Sequence, residues 1–229
     1  MIAIVSMAEI ATYNSSDGNT GMKRRFEQLT GAPAIGLHFS QASPDYIARI
    51  GARAVFICGF GYGWNEVPVK DLVGISDFLH TTEIPVYAAC GGHQLMGFAF
   101  NNDLRQVKQL KDEPMRKLRG DEPDYGYSAR VAGHYTATGF QVVDIVKRDP
   151  IFAGLRKKIR VREAHYCEVK KLPPGFELLA TSPECRIEMM KHTEQPLYGA
   201  QFHAESWQEP YLDGQKVMAN FFKIAGLMK

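Results

Sequence analysis

The stretch YAACGGHQLMGF, Tyr87 to Phe98, sets Cys90 between an apolar run and the opening of a helix, with Ala88, Ala89, Gly91 and Gly92 around it. The run PVYAAC, Pro85 to Cys90, is apolar without polar alternation, as expected of a strand buried on both faces of a parallel sheet. Small neighbours let the chain turn sharply from that strand into the helix. Such a junction, a nucleophile elbow, holds a reactive side chain exposed beside a backbone N–H, and the helix N-terminus favours thiolate over thiol. An ordinary intracellular cysteine is a small buried hydrophobe. It is this setting that makes Cys90 a candidate nucleophile.

On the N-terminal side, IAIVS (Ile2 to Ser6), AIGLHF (Ala34 to Phe39) and RAVFICGFGYG (Arg53 to Gly63) read as strands, the last running into a glycine-rich loop. Helices are predicted between them at MKRRFEQL, after the polar connector NSSDGNTG (Asn14 to Gly21), at SPDYIARIG (Ser43 to Gly51) and at KDLVGISDFLH (Lys70 to His80). In SPDYIARIG a serine stands at the N-cap, proline follows and glycine closes the segment. Strands and helices alternating on short connections imply right-handed crossovers and a doubly wound sheet, with ligand sites at the carboxyl ends of its strands. The glycine-rich loop and Cys90 both fall at that edge.

From Asn101 to Tyr135 the chain turns polar and rich in Gly, Pro and Tyr, including KDEPMRKLRGDEPDYGYSAR (Lys111 to Arg130). This segment reads as partly helical and partly loop, either a lid or docking element or a tolerated insertion. Beyond it GFQVVDIV, KIRVREAHYCEV, GFELLATS, CRIEMMKH and PLYGAQFH are strand-rich, and GQKVMANFFKIAGL (Gly214 to Leu227) closes as a helix. A length of 229 residues suits one α/β domain spanning residues 1–229.

A cysteine nucleophile needs a base, and the base needs a group that fixes its tautomer. YGAQFHAESW, Tyr198 to Trp207, offers both, with His203 at the end of an apolar run and Glu205 two positions on. Side chains two apart leave the same face of an extended strand end. Alone, the segment reads as a strand end with a solvated acid; beside the elbow it becomes the natural partner.

ACGGHQ and GAQFHAE resemble the two signature segments of class I glutamine amidotransferases, GxCxGxQ and GxQFHPE. AHYCEVKKLPPGFELLATSPE (Ala164 to Glu184), RDPIFAGL (Arg148 to Leu155) and GQKVMANFF are also similar to that family, so the resemblance covers roughly Arg53 to Phe100 and Gly139 to Phe222. It implies a three-layer αβα, flavodoxin-like, mostly parallel sheet. It also implies hydrolysis of the side-chain amide of L-glutamine through a γ-glutamyl thioester, with Cys90 attacking, His203 shuttling the proton and Glu205 orienting His203. By the same resemblance, Gly91 and Phe60 would supply the oxyanion amides, and Gly59, Gly61, Gln94, Tyr166 and Cys167 would bind substrate. The implied partner is a separate synthase that accepts the ammonia, since no acceptor-activating segment is visible in the chain. Ala88 stands where the family has Gly, Ala204 where it has Pro, and GFGYG (Gly59 to Gly63) replaces Gly-Gly-Pro. The loop is the departure that bears on oxyanion geometry.

The apolar share of 45%, charged share of 23% and net charge of +2 are those of an ordinary globular protein and point to no polyanionic partner. The basic stretches MKRR (Met22 to Arg25) and LRKKIRVR (Leu155 to Arg162) are short and read as solvated faces rather than a nucleic-acid patch. Cys58, Cys90, Cys167 and Cys185 lack metal-type spacing, and no apolar leader or membrane-length run occurs, so no metal, no other cofactor, no membrane partner and a reducing cytoplasmic setting are expected. His93 on the elbow helix is expected to pack, His165 to line a wall, and GFGYG lacks the lysine of a phosphate-binding loop. Two rival readings are a γ-glutamyl hydrolase or cysteine peptidase with the same triad, and a non-catalytic binding or regulatory member of the fold.

Overall fold

In the computed structural model, which describes residues 1–16, 19–125 and 131–229, the short apolar runs become the centre of one sheet. Strands β1 (Ile2–Ser6), β2 (Ala34–His38), β3 (Ala54–Ile57), β4 (Val86–Ala89) and β9 (Leu197–Ala200) are mutually parallel, and β1, β3, β4 and β9 are buried along their whole length. Strands β5 (Ala137–Ile145), β6 (Lys158–His165), β7 (Phe176–Thr181) and β8 (Met189–His192) extend the sheet by antiparallel pairing, giving the order β2-β1-β3-β4-β9-β8-β7-β5-β6.

Successive residues of a strand point to opposite faces, and here each face meets its own layer of helices. Ala3, Val5, Val55, Ile57, Val86 and Ala88 pack with Ile47 of α3 (Pro44–Arg49), Leu72, Ile75 and Leu79 of α4 (Val69–Thr81), and Leu95 and Met96 of α5 (Gly91–Asn101). Ile2, Ile4, Phe56, Tyr87 and Ala89 pack on the other side with Phe26 of α2 (Thr20–Thr30) and Val217, Met218, Phe221 and Phe222 of α6 (Asp213–Ile224). Each fully buried Ile, Leu or Phe contributes about 1.5–3 kcal/mol from burial, so the apolar faces hold the layers together. Ser43 caps α3 by accepting from the Tyr46 amide, as the sequence predicts.

Three expectations are corrected. Beyond Asn101, where α5 ends, the described residues up to 135 hold no α-helix: they carry the 3-10 turn Leu104–Gln106 and isolated bridges, Pro114 to Cys167 and Lys117 to His134, because tertiary pairing and not helical periodicity orders this polar stretch. The strand expected over CRIEMMKH begins only at Met189, and its register against β7 shifts between the pairs Met189–Ala180 and Met190–Leu178. PLYGAQFH stops being a strand at Ala200, before His203. A short helix, α1 (Ile10–Ser15), lies in a segment read only as a connector. Residues 17–18 of the polar connector and 126–130 of the polar segment lie outside the described residues. No helix among the described residues is long and apolar enough to cross a membrane.

Candidate active site

Because β3, β4 and β9 are adjacent and parallel, their carboxyl ends bring three distant pieces of chain to one point: the Gly59–Gly63 loop, Cys90 and the His203 turn. Cys90 has φ 49° and ψ −107°, the one left-handed non-glycine residue among those described. Such a backbone costs on the order of 1–3 kcal/mol and survives only where its surroundings enforce it. They do so here: the Cys90 amide donates to the Ala200 carbonyl at 2.8 Å, and the Cys90 carbonyl accepts from the Gln94 amide at 3.0 Å to start α5.

The glycines of the elbow answer to space. A Cβ on Gly92 would stand 2.8 Å from the Ile57 carbonyl oxygen, and one on Gly91 would stand 2.3 Å from Cδ1 of Phe60. The same absent Gly91 methyl would be 3.2 Å from the Phe60 amide nitrogen, so the two amides expected to cradle an oxyanion are neighbours. First-turn amides of a helix have no helical carbonyl to donate to, which leaves Gly91 N–H available to a ligand.

His203 ends the chain's run out of β9 and starts the 3-10 turn Ala204–Ser206, where Glu205 is buried. The turn, rather than strand alternation, brings His203 Nδ1 to 2.6 Å from Glu205 Oε1. A carboxylate accepts, so Nδ1 carries the proton and Nε2 is left for Cys90, whose sulfur acts on the same imidazole. A Cβ on Gly59 would touch both partners, lying 3.5 Å from Cys90 Sγ and 3.2 Å from His203 Cε1; glycine is required there for the pair to close. Burial opposes a charged imidazole, but the Glu205 carboxylate, Cys90 and hydrogen bonds to both outweigh it, and His203 titrates well above the ordinary histidine range.

The turn is clamped from two sides. The His203 amide donates to the Arg162 carbonyl at 2.8 Å, and Arg25 donates to the carbonyls of Glu205 and Trp207 at 3.1 and 2.7 Å while its guanidinium lies 5.0 Å from the Trp207 ring centre. Arg25 belongs to the basic stretch expected to be solvated, and its role is to fasten this loop.

A narrow cleft opens in front of Cys90, lined by Phe60, Tyr62, Trp64, Gly91, Gln94, Asp112 and the segment Ala164 to Cys167. Of the residues expected to bind substrate, Gln94, Tyr166 and Cys167 line it; Gly59 packs on the triad behind it, and Gly61 is not among its walls. Both N–H groups of the Gln94 side chain are used, on Cys167 O at 3.1 Å and Gln201 Oε1 at 3.3 Å, and its Oε1 accepts from Trp64 Nε1 at 2.8 Å. Gln94 can therefore meet a ligand only through a remaining oxygen lone pair.

Sequence reasoning missed Trp64, Tyr62 and Asp112 on this wall. Asp112 comes from the polar segment 101–135 and accepts from the Trp64 amide at 2.9 Å; nothing in the sequence sets it apart from its charged neighbours. His165 does line the cleft, and His93 is fully buried, bonded to the Ile187 carbonyl and driven by burial to a pKa of about 3, so it stays neutral. Burial likewise pushes up the thiols of Cys58, Cys167 and Cys185, the second to about 12.

A family model described as glutamine amidotransferase class-I matches residues 40–225. A relative from Pyrococcus furiosus, named as the glutamine-hydrolyzing component of GMP synthase, is 36% identical over 143 residues, which are 62% of this chain and 61% of that protein. The chain thus spans less than two thirds of the length of the curated relatives it matches. A putative GMP synthase component from Thermoplasma acidophilum superposes with a TM-score of 0.68 at 19% identity, over 99% of this chain and 94% of the other. The glutaminase domain of Trypanosoma brucei CTPS with bound acivicin gives 0.67 at 17%, over 100% and 95%. At these identities the structural matches establish the fold.

Proposed function

We propose that this chain, which belongs to the class-I glutamine amidotransferase family, hydrolyses the side-chain amide of L-glutamine to glutamate and ammonia. The observation that carries the reading is the convergence of Cys90 with the His203–Glu205 turn and the Gly59–Gly63 loop at the ends of three adjacent strands, where the backbone of Gly91 adjoins the Phe60 amide. Cys90 Sγ, as thiolate, attacks the amide carbon and the carbonyl oxygen becomes an oxyanion facing the amides of Phe60 and Gly91. His203 gives its proton from Nε2 to the departing nitrogen, so ammonia leaves and a γ-glutamyl thioester remains. Water then attacks the thioester, His203 takes its proton, and the C–S bond breaks to release glutamate. Glu205 keeps the imidazole in the tautomer and orientation both steps need.

Asp112 and the Gln94 oxygen are placed to receive the α-ammonium of the substrate, and the backbone at Tyr166 and Cys167 its α-carboxylate. The ammonia passes to a separate synthase; the names of the archaeal relatives make a GMP synthase the first partner to test. Four free thiols support a reducing, cytoplasmic setting. The experiment is ammonia release from L-glutamine by the purified chain beside Cys90→Ala, with γ-glutamyl peptides in parallel. Turnover of glutamine lost in Cys90→Ala is expected. Turnover of γ-glutamyl peptides alone selects the hydrolase reading, and none on either substrate, with or without the synthase partner, contradicts hydrolysis.

A further inference from the structure

Behind the cleft, three ionisable side chains share a buried interior. Strand β6 alternates exposed and buried residues, and its inward set runs Ile159, Val161, Glu163, His165; the last two put an acid and an imidazole where the pattern calls for apolar side chains. Glu188, just before β8, joins them, and one ligand atom from each of the three lies within 4.8 Å of the others. Glu163, His165 and Glu188 are 1%, 3% and 2% exposed.

Their hydrogen bonding is incomplete in one specific way. His165 Nδ1 is 2.9 Å from the Cys167 carbonyl oxygen; a carbonyl only accepts, so Nδ1 holds the proton. In the neutral ring, Nε2 then presents a lone pair to Glu163 Oε2, 3.2 Å away. That contact lacks hydrogen-bond alignment: His165 Nε2, both Glu163 oxygens and Glu188 Oε2 are buried with no hydrogen-bond partner among the described groups. Acceptor positions facing one another in a low-dielectric interior carry a cost that a shared positive charge relieves, and burial beside Glu163 pushes the Glu188 carboxyl up to about 8. A proton would need a near-linear N–H···O path, whereas a metal ion needs only lone pairs at the right separation. Two ligands at about 2.0–2.1 Å from a tetrahedral centre stand roughly 3.3 Å apart, close to the 3.2 Å observed. A ligating imidazole that donates its other N–H to a backbone carbonyl is the usual outer-shell support of such a site.

We propose that Glu163, His165 and Glu188 bind one divalent transition-metal ion of the zinc class through His165 Nε2 and one oxygen of each carboxylate. No metal-type spacing marks these residues in the sequence, because they come from two separate segments that only the sheet unites. The ion is a fastener: it ties β6 to the approach of β8 and, through His165 and Cys167, stiffens the cleft wall that includes Ala164, whose carbonyl oxygen lies 3.9 Å from Cys90 Sγ. The inference does not depend on the glutaminase reading.

The test is equilibrium dialysis of the full chain against Zn²⁺, with metal content measured by mass spectrometry and thermal melting followed in parallel. Cys90→Ala serves as background, to remove zinc capture by the thiol and His203. One ion per chain is expected in that background, with Tm rising roughly 5–10 °C at free ion about a hundredfold above Kd. Glu163→Gln and Glu188→Gln should each lose the ion and the shift while keeping a native circular dichroism spectrum. If either fails to fold, Co²⁺ in the Cys90→Ala chain decides the matter: a visible spectrum of a low-coordinate N/O site without a thiolate band supports the proposal. Less than a tenth of an ion per chain, a shift that survives in Glu163→Gln, or a cobalt thiolate band overturns it and leaves a proton as the shared cation.

Discussion

The two halves of the sheet do different work. The parallel half, β2-β1-β3-β4-β9, ends in the elbow, the Gly59–Gly63 loop and the His203 turn, and its central strands are apolar throughout. The antiparallel half, β8-β7-β5-β6, contributes no member of the Cys90–His203–Glu205 set, yet it supplies the far wall of the cleft and holds the buried Glu163–His165–Glu188 group. In the proposed mechanism the parallel half carries the reacting atoms, and the antiparallel half shapes the space in front of them. At the His203 turn the two halves are joined by the hydrogen bond from His203 N–H to Arg162 O.

If that division holds, substitutions in the parallel half should strike turnover and those in the antiparallel half stability or affinity. The largest effect is expected from His203→Ala, which should lower ammonia release by about 10⁴-fold or more, the order of loss when one member of a catalytic unit is removed, with Tm barely moved. Gly91→Ala comes next. Its methyl would drive the Phe60 ring and amide aside, and losing one oxyanion donor costs about 10²–10³-fold in kcat. Across the boundary, Val161→Ala should reverse the pattern, lowering stability by about 1–3 kcal/mol from lost burial while kcat stays within about twofold of the parent, the range that surface-level readjustment allows. A large kcat loss in that variant would break the comparison. Asp112→Asn should sharpen it further, raising KM for glutamine by about tenfold, one lost charge-assisted contact, at nearly constant kcat.

The legibility of the sequence follows the same boundary. From β1 to β4 each strand is a local apolar run and each crossover is helical, so IAIVS, AVFI and VYAA announce themselves, and small residues around Cys90 mark the turn. Register in the antiparallel half depends on partners far away in sequence, and the order β8-β7-β5-β6 has no local signature. His203 and Glu205 are legible as a pair, but strand alternation is not what aligns them: a 3-10 turn does. Asp112 is illegible because its position is set by the Trp64 amide and by the bridge from Pro114 to Cys167. Glu163 is legible in principle, since the alternation of KIRVREAH places it on the inward face.

The smallest expected effect, and the most direct test of the central claim, is alkylation of Cys90 at pH 8 by a glutamine-derived electrophile, in the parent and in His203→Ala, followed by mass spectrometry. His203 is held above its ordinary range by Glu205 and Cys90, so as pH rises past the usual histidine value of about 6.5 the imidazolium persists and continues to pair with the sulfur. Labelling of Cys90 alone, protected by glutamine and faster in the parent than in His203→Ala, is the predicted result. Labelling spread over several cysteines, or equal rates in the two proteins, would contradict the account.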